Sequence, residues 1–354
     1  MIAITKTKRE YGALEILNVE KPRASDLQPN ECIVQIAACA ICGSDVHNYE
    51  YIPSSAYMTV PVVIGHEYSG IVTEVGSAVI AFAPGDHVVG EAVEGCGFCE
   101  NCRTGNTQVC LNFRTRGIIK DGAMTEYMIV EERFLHHLPH HVPFVIAAAT
   151  QPCAVAVHGV FDNCDIQPCD TVVVFGPGII GHAAAQLAKV KGAGHVFLAG
   201  TDADVDSRLS LAPELGLIPV NVEREDIKQR VRDVTGREFV DVAIECSGAA
   251  SALTTAISSL RKNGYLTLIG IFAKPIEVSV TDLVRKEINI RTSYTGTWAN
   301  YEMAIRLIAG GKLKLETLCT PYPYTEVLNA FQNAVDRTVL KPVIVMNETL
   351  GKDL

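Results

Sequence analysis

Short runs of alternating apolar and polar residues, broken by turn residues, dominate roughly the first 150 positions. Cys32-Ile33-Val34-Gln35-Ile36 and Ser69-Gly70-Ile71-Val72-Thr73-Glu74-Val75 are two of them. A period of two predicts strands, and Ala83-Pro84-Gly85-Asp86 marks a turn. After Asp170 the pattern changes. Thr171-Val172-Val173-Val174-Phe175 is uninterrupted apolar sequence, suited to a strand covered on both faces. A glycine turn follows, then a predicted helix over Ile179 to Lys191. Next come a strand at His195-Val196-Phe197-Leu198, a helix near Arg208 to Leu215, and a strand at Val240-Asp241-Val242-Ala243-Ile244. A helix near Ala250 to Leu260 and a strand at Leu266-Thr267-Leu268-Ile269 complete the series. Strands alternating with helices predict a parallel, doubly wound sheet. Beyond about 290 the pattern is mixed again and ends in the apolar run Val343-Ile344-Val345.

The expected class is therefore α/β, with a β-rich domain over 1–153 and 293–354 and an inserted α/β domain over 154–292. A cleft between two such domains is the default place for a ligand. The 354 residues, 48% hydrophobic and 20% charged, supply apolar material for two cores. A net charge of −10 with no lysine- or arginine-rich run argues against nucleic-acid or anionic-membrane partners. The first residues, Met1-Ile2-Ala3-Ile4-Thr5-Lys6-Thr7-Lys8, lack a signal-peptide pattern, and no apolar run reaches the ~18 residues that span a bilayer. A cytoplasmic location is expected. In that compartment the twelve cysteines are metal-bound, catalytic or buried rather than paired in disulfides.

Cys96, Cys99, Cys102 and Cys110 have the spacing C-x2-C-x2-C-x7-C. Four thiolates this close can complete a tetrahedral shell around Zn²⁺ and leave no position open for chemistry, so the site is read as structural. Disulfides fit the compartment poorly. A ferredoxin-type cluster would call for a second cysteine group or a following proline, and neither is present.

Gly176-Pro177-Gly178-Ile179-Ile180-Gly181 fits G-x-G-x-x-G and stands between a buried strand and a helix, the context in which the motif holds a dinucleotide pyrophosphate. The acid that reads the ribose should follow about 20 residues later, at the end of the second strand. Gly200 holds that place, followed by Thr201 and Asp202. Loss of the acid permits a 2′-phosphate, with Arg208 as a partner. Asp202, Asp204 and Asp206 would repel one, and Asp202 could itself bind the ribose. NAD and NADP both stay open.

A second metal constellation joins Cys42-Gly43-Ser44-Asp45-Val46-His47 to Gly65-His66-Glu67. Thiolate, imidazole and carboxylate together make the mixed ligand set of an open, catalytic zinc site. These blocks, with Gly65-His66-Glu67-Tyr68-Ser69-Gly70, Gly85-Asp86-His87-Val88, the cysteine quartet and the glycine turn, give the chain its resemblance to a known family. Over essentially its whole length it resembles the zinc-containing medium-chain dehydrogenase/reductase family, within the sorbitol dehydrogenase and L-threonine dehydrogenase branch.

The resemblance implies a GroES-like catalytic domain, a Rossmann-type cofactor domain, two Zn²⁺ per chain and NAD or NADP. It implies that Cys42, His66 and Glu67 ligate the catalytic zinc. Ser44 matches the hydroxyl beside the reacting oxygen, His47 the outer end of a proton relay, and Asp45 a support of the zinc shell. One position departs from the pattern. Gln151, in Gln151-Pro152-Cys153-Ala154-Val155-Ala156-Val157-His158, replaces a carboxylate that elsewhere faces the zinc water or serves as an alternative ligand. An amide can meet the metal only weakly, directly or through water. Cys153 is a further thiol nearby in sequence.

Substrate-pocket candidates are Tyr49, Tyr51, Tyr57, Glu91, Glu94, Tyr294 and Trp298. Ser293 stands where the sorbitol branch has an arginine. The expected reaction is hydride transfer between a secondary alcohol, of the polyol or sugar-alcohol class, and a nicotinamide cofactor. L-Threonine 3-dehydrogenase-like oxidation is the alternative among enzymes. A catalytically silent dinucleotide-binding or redox-sensing protein is the alternative of another class. The resemblance implies a homodimer or homotetramer.

Overall fold

A computed structural model describes residues 1–351. The last three residues of the expected C-terminal return, 352–354, lie outside the described residues. The chain forms two compact units. One comprises 1–151, 297–309 and 315–354, and the other 152–296 and 310–314.

The first unit is built around the ten-residue strand Glu31–Ala40. Glu67–Val75 pairs antiparallel along one edge of it, and Tyr127–Glu131 and Lys341–Val345 also pair with it. The sheet continues through His87–Gly90 to Leu135–His137 on one side and through Lys341–Val345 to Cys319–Pro323 on the other. Every residue of Glu31–Ala40 except Glu31 and Gln35 is buried, so the alternation seen in Cys32–Ile36 gives way to continuous burial further on. Ile4, Val34, Ile36, Tyr68, Met124 and Phe331 belong to the core beneath it. Two registers matter for the site. Ala40 lies opposite Glu67 on one side and opposite Val343 on the other.

The second unit is a six-stranded, wholly parallel sheet. Its strand order is Ile218–Asn221, His195–Gly200, Thr171–Phe175, Val240–Glu245, Leu260–Leu268, Asn289–Thr292. In chain order this is 3-2-1-4-5-6, the doubly wound arrangement. All five residues of Thr171–Phe175 are buried, as a central parallel strand requires. The helix Ile179–Val190 presents Ala183, Ala184, Leu187 and Ala188 to the interior.

The helix expected near Arg208 to Leu215 is instead two 3₁₀ turns, Leu209–Leu211 and Pro213–Leu215. Pro213 has no N–H to continue a helix begun before it, and its ring clashes with the preceding turn. No helix among the described residues is long and apolar enough to cross a membrane.

Candidate metal centres and cofactor loop

The strand Glu31–Ala40 delivers the chain to Cys42, which caps the helix Gly43–Glu50. Asp45, in the first turn, accepts the Cys42 backbone N–H at 3.0 Å through Oδ2. His66 and Glu67 enter where the neighbouring strand begins, and the Ala40–Glu67 register brings them alongside. Gly65 has φ +90°, and a Cβ there would lie 2.6 Å from Cys39 Sγ. Only glycine allows this approach.

One ligand atom from each of Cys42, His66 and Glu67 lies within 4.8 Å of the other two. His66 and Glu67 are 4% and 0% exposed. His66 Nε2 is 3.4 Å from Ser44 Oγ, and its Nδ1 is 3.6 Å from Asp45 Oδ1. Lys341, also buried, ion-pairs with Glu67 Oε2 and donates to the Ile41 carbonyl at 2.8 Å. Glu67 Oε1 is buried with no hydrogen-bond partner among the described residues.

Burial alone would lower the pKa of His66, but Asp45, Cys42 and Glu67 overcome it and push the imidazole up to about 10. Burial likewise opposes charge on Lys341, yet Glu67 and Cys42 raise it above the usual lysine value. Converging thiol, carboxylate and imidazole groups, with a carboxylate oxygen that Lys341 leaves unpaired, therefore form an electron-rich pocket able to hold a further cation. The mixed S, N and O donor set fits Zn²⁺.

The four sulfurs of Cys96, Cys99, Cys102 and Cys110 also lie within 4.8 Å of one another. Backbone N–H groups point at them: Cys96 N to Cys110 Sγ at 3.2 Å, Cys99 N to Cys96 Sγ at 3.4 Å and Asn112 N to Cys110 Sγ at 3.3 Å. Hydrogen bonds from the Phe98 and Cys99 backbone bring the Cys96 thiol down to about 6. Cys102 moves the other way, to about 12, through burial and then the neighbouring thiols. Partial pre-ionisation within a sulfur cage suits a closed tetrathiolate zinc site.

In the second unit the glycine loop joins Thr171–Phe175 to the helix Ile179–Val190. Gly176 has φ +95°, and a Cβ on Gly181 would strike the Gly176 carbonyl. Positions 176 and 181 are therefore closed to side chains, whereas a Cβ at Gly178 would meet open space, which leaves the backbone bare where a pyrophosphate would approach.

Other predicted residues fall differently. Gln151 and Cys153 are buried on the helix Thr150–Val157. His47 is exposed on the Ser44 helix, with its carbonyl accepting from Ser55 Oγ at 2.9 Å. Tyr49 belongs to the core, stacked on Phe331 with ring centroids 5.1 Å apart, because its helix turns that face inward. Tyr51 ends the helix in a left-handed conformation, φ 53°. Glu94 is held by Arg116 at 2.5 Å and Lys120 at 2.9 Å. Glu91 meets the fully buried His136 at 3.3 Å, and the other ring nitrogen of His136 meets Glu302 at 2.9 Å. Tyr57, Tyr294 and Trp298 are 61%, 43% and 52% exposed.

The sequence reading missed Lys341. The available signal was a lysine opening the apolar strand Lys341-Pro342-Val343-Ile344-Val345.

Residues 28–140 match the model of the alcohol dehydrogenase GroES-like domain, and residues 180–310 that of the zinc-binding dehydrogenase domain. The chain is 31% identical to D-arabitol-phosphate dehydrogenase of Enterococcus avium, over 98% of both chains. It is 35% identical to a sorbitol dehydrogenase of Halalkalibacterium halodurans, over 92% of this chain and 93% of that one. An L-threonine 3-dehydrogenase of Anaeromyxobacter is also 35% identical, over 88% and 89%. Among solved structures, a zinc-binding dehydrogenase from Sinorhizobium meliloti bound to NADP superposes with a TM-score of 0.87 at 28% identity, covering 97% of this chain and 98% of that one.

Proposed function

The chain belongs to the zinc-dependent alcohol dehydrogenase family, with its GroES-like and Rossmann-like domains, and from that premise we propose that it oxidises a secondary hydroxyl of a polyol or sugar alcohol to the ketone, with NAD or NADP taking the hydride. The observation that carries this reading is the convergence of Cys42, His66 and Glu67 beside the Ser44 hydroxyl.

Cys42, His66 and Glu67 would hold the catalytic zinc, and Cys96, Cys99, Cys102 and Cys110 the structural one. A catalytic zinc supplies Lewis-acid chemistry that lets an alcohol hydroxyl ionise near neutral pH. Ser44 Oγ would accept that proton while its own O–H proton passes on. We infer that His47, exposed one turn along the same helix, is where the proton leaves to solvent. Asp45 Oδ1 lies 3.6 Å from His66 Nδ1, beyond direct hydrogen-bond reach, and acts on the ring through its charge. Lys341 offsets part of the negative charge of Glu67. The glycine turn Gly176–Gly181 receives the pyrophosphate of NAD or NADP in the unit that spans 152–296. The unit that begins at Met1 carries both zinc sites.

The sorbitol and arabitol-phosphate relatives support a polyol. An L-threonine 3-dehydrogenase at 35%, the same identity as the sorbitol relative, supports an amino alcohol as the second reading. Absorbance at 340 nm separates the two, with polyols, polyol phosphates, sugar acids and L-threonine offered alongside each dinucleotide. Turnover of L-threonine alone would overturn the polyol assignment.

A homo-oligomer completes the proposal. Asn289–Thr292 is a sheet edge with exposed Ile290, and Val280 and Val284 on the preceding helix are exposed as well. An uncovered strand edge with apolar neighbours suits a second copy of the chain. Light scattering after size exclusion reads the assembly directly, and a monomer at all concentrations would refute it.

A further inference from the structure

The end of the strand His195–Gly200 is where a sheet of this order reads the adenosine ribose. A Cβ added to Gly200 would lie 2.8 Å from Pro177 Cγ in the glycine loop and 3.2 Å from Asp204 Oδ2. No reading side chain fits there. The carboxylates that follow have separate duties. Asp204 is turned inward, 4% exposed. Its Oδ2 accepts from Thr201 N at 3.0 Å and Thr201 Oγ1 at 2.9 Å, and its Oδ1 meets Arg208 Nη1 at 3.3 Å. Asp204 and Arg208 therefore close the turn on themselves.

Asp202 faces outward. Its Oδ1 accepts from Asn221 Nδ2 at 2.6 Å and from Arg224 Nε at 2.5 Å. The two paired side chains are 50% and 70% exposed. A solvent-exposed ion pair contributes little net stability, so either member can change partners at small cost. A carboxylate accepts hydrogen bonds from a ribose diol, and a guanidinium binds a phosphate in bidentate fashion. Both groups stand together at the strand end that reads the ribose.

We propose that Asp202 and Arg224 form an exchangeable pair that admits both dinucleotides: Asp202 takes the ribose hydroxyls of NAD, and Arg224 releases Asp202 to take the 2′-phosphate of NADP. The inference rests on the dehydrogenase reading above. Glu223, whose carboxylate accepts the Asp202 backbone N–H at 2.7 Å, and Asp206 both oppose a phosphate. NADP binding therefore depends on Arg224 rather than on a generally basic pocket.

Titration of the zinc-loaded protein with NADH and with NADPH, followed by nicotinamide fluorescence, tests this without turnover. Wild-type dissociation constants for the two should lie within about tenfold of each other. Arg224→Ala should weaken NADPH about tenfold or more and leave NADH nearly unchanged, while Arg224→Lys keeps part of the NADPH affinity. Asp202→Asn should weaken NADH and spare NADPH. A wild-type preference beyond about a hundredfold for one dinucleotide, or equal losses for both in Arg224→Ala, would overturn the proposal. Binding of neither dinucleotide to the wild type would overturn the dehydrogenase reading itself.

Discussion

Replacing Lys341 with methionine should be far more damaging than the loss of one surface charge. Methionine keeps most of the buried length but removes the ammonium that faces Glu67 Oε2 and donates to the Ile41 carbonyl. Glu67 is fully buried, and Lys341 is 2% exposed, so water cannot replace the lost partner. Breaking a buried ion pair from one side costs about 3–5 kcal/mol, mostly as the penalty of an uncompensated charge. That is a large share of the ~5–15 kcal/mol by which a domain is usually stable. The assay is urea unfolding of the zinc-depleted protein, with Lys341→Met compared to the double variant Lys341→Met/Glu67→Gln. The double variant has no stranded charge and should recover at least half of the loss. Zinc should narrow the gap between wild type and Lys341→Met, because a cation beside Glu67 takes over part of the lysine's role. A single-variant loss below about 1 kcal/mol, the range of an exposed pair, would show that Glu67 does not depend on Lys341.

Three further outcomes follow from the same geometry. Ser44→Ala should lower kcat by about 10²–10⁴-fold with zinc content unchanged, as expected for loss of a positioned proton carrier; steady-state kinetics with metal analysis checks both parts. Cys99→Ser should remove one of two zinc ions and expose the loop around Phe98 and Leu111 to protease, read by metal analysis and limited proteolysis. Asp241 carries a pH prediction. Burial works against its charge, but Arg237, the Thr171 N–H and Arg261 bring its carboxyl down to about 2. A carboxyl depressed below its unfolded value near 3.8 stabilises the fold above that value, and the contribution is lost as pH falls through about 2. Asp241→Asn should therefore be less stable than wild type at neutral pH, with the difference closing toward pH 2 in thermal melts.

The parts of the molecule that were legible in the sequence are those whose partners lie close along the chain. The cysteine quartet falls within fifteen residues, and its spacing alone specifies a cage. The glycine turn was readable because its three glycines and the flanking strand and helix are contiguous. Cys42 and His66 were individually weak signals that gained meaning only together. Lys341 was invisible for the opposite reason. It reaches Glu67 through the pairing of Ala40 with both Glu67 and Val343, and nothing local announces such a register. For Tyr49 the sequence left pocket lining and core packing both open, with core the favoured reading for most such aromatics, and its stacking on Phe331 puts it in the core. At Gly200 the sequence showed a missing acid, but not that Asp204 folds back to fill the space.

Cys42 serves two roles, as the residue that starts the helix Gly43–Glu50 and as a member of the ligand group. Asp45 is shared in the same way, between the Cys42 N–H and the His66 ring. The backbone order of one short helix and the occupancy of one ion are therefore thermodynamically linked. The amide protons of Asp45 to Asn48 become a gauge of metal loading: their exchange should slow as zinc enters. The same linkage constrains sequence drift, because a substitution tolerable to the helix alone is still judged by the ion.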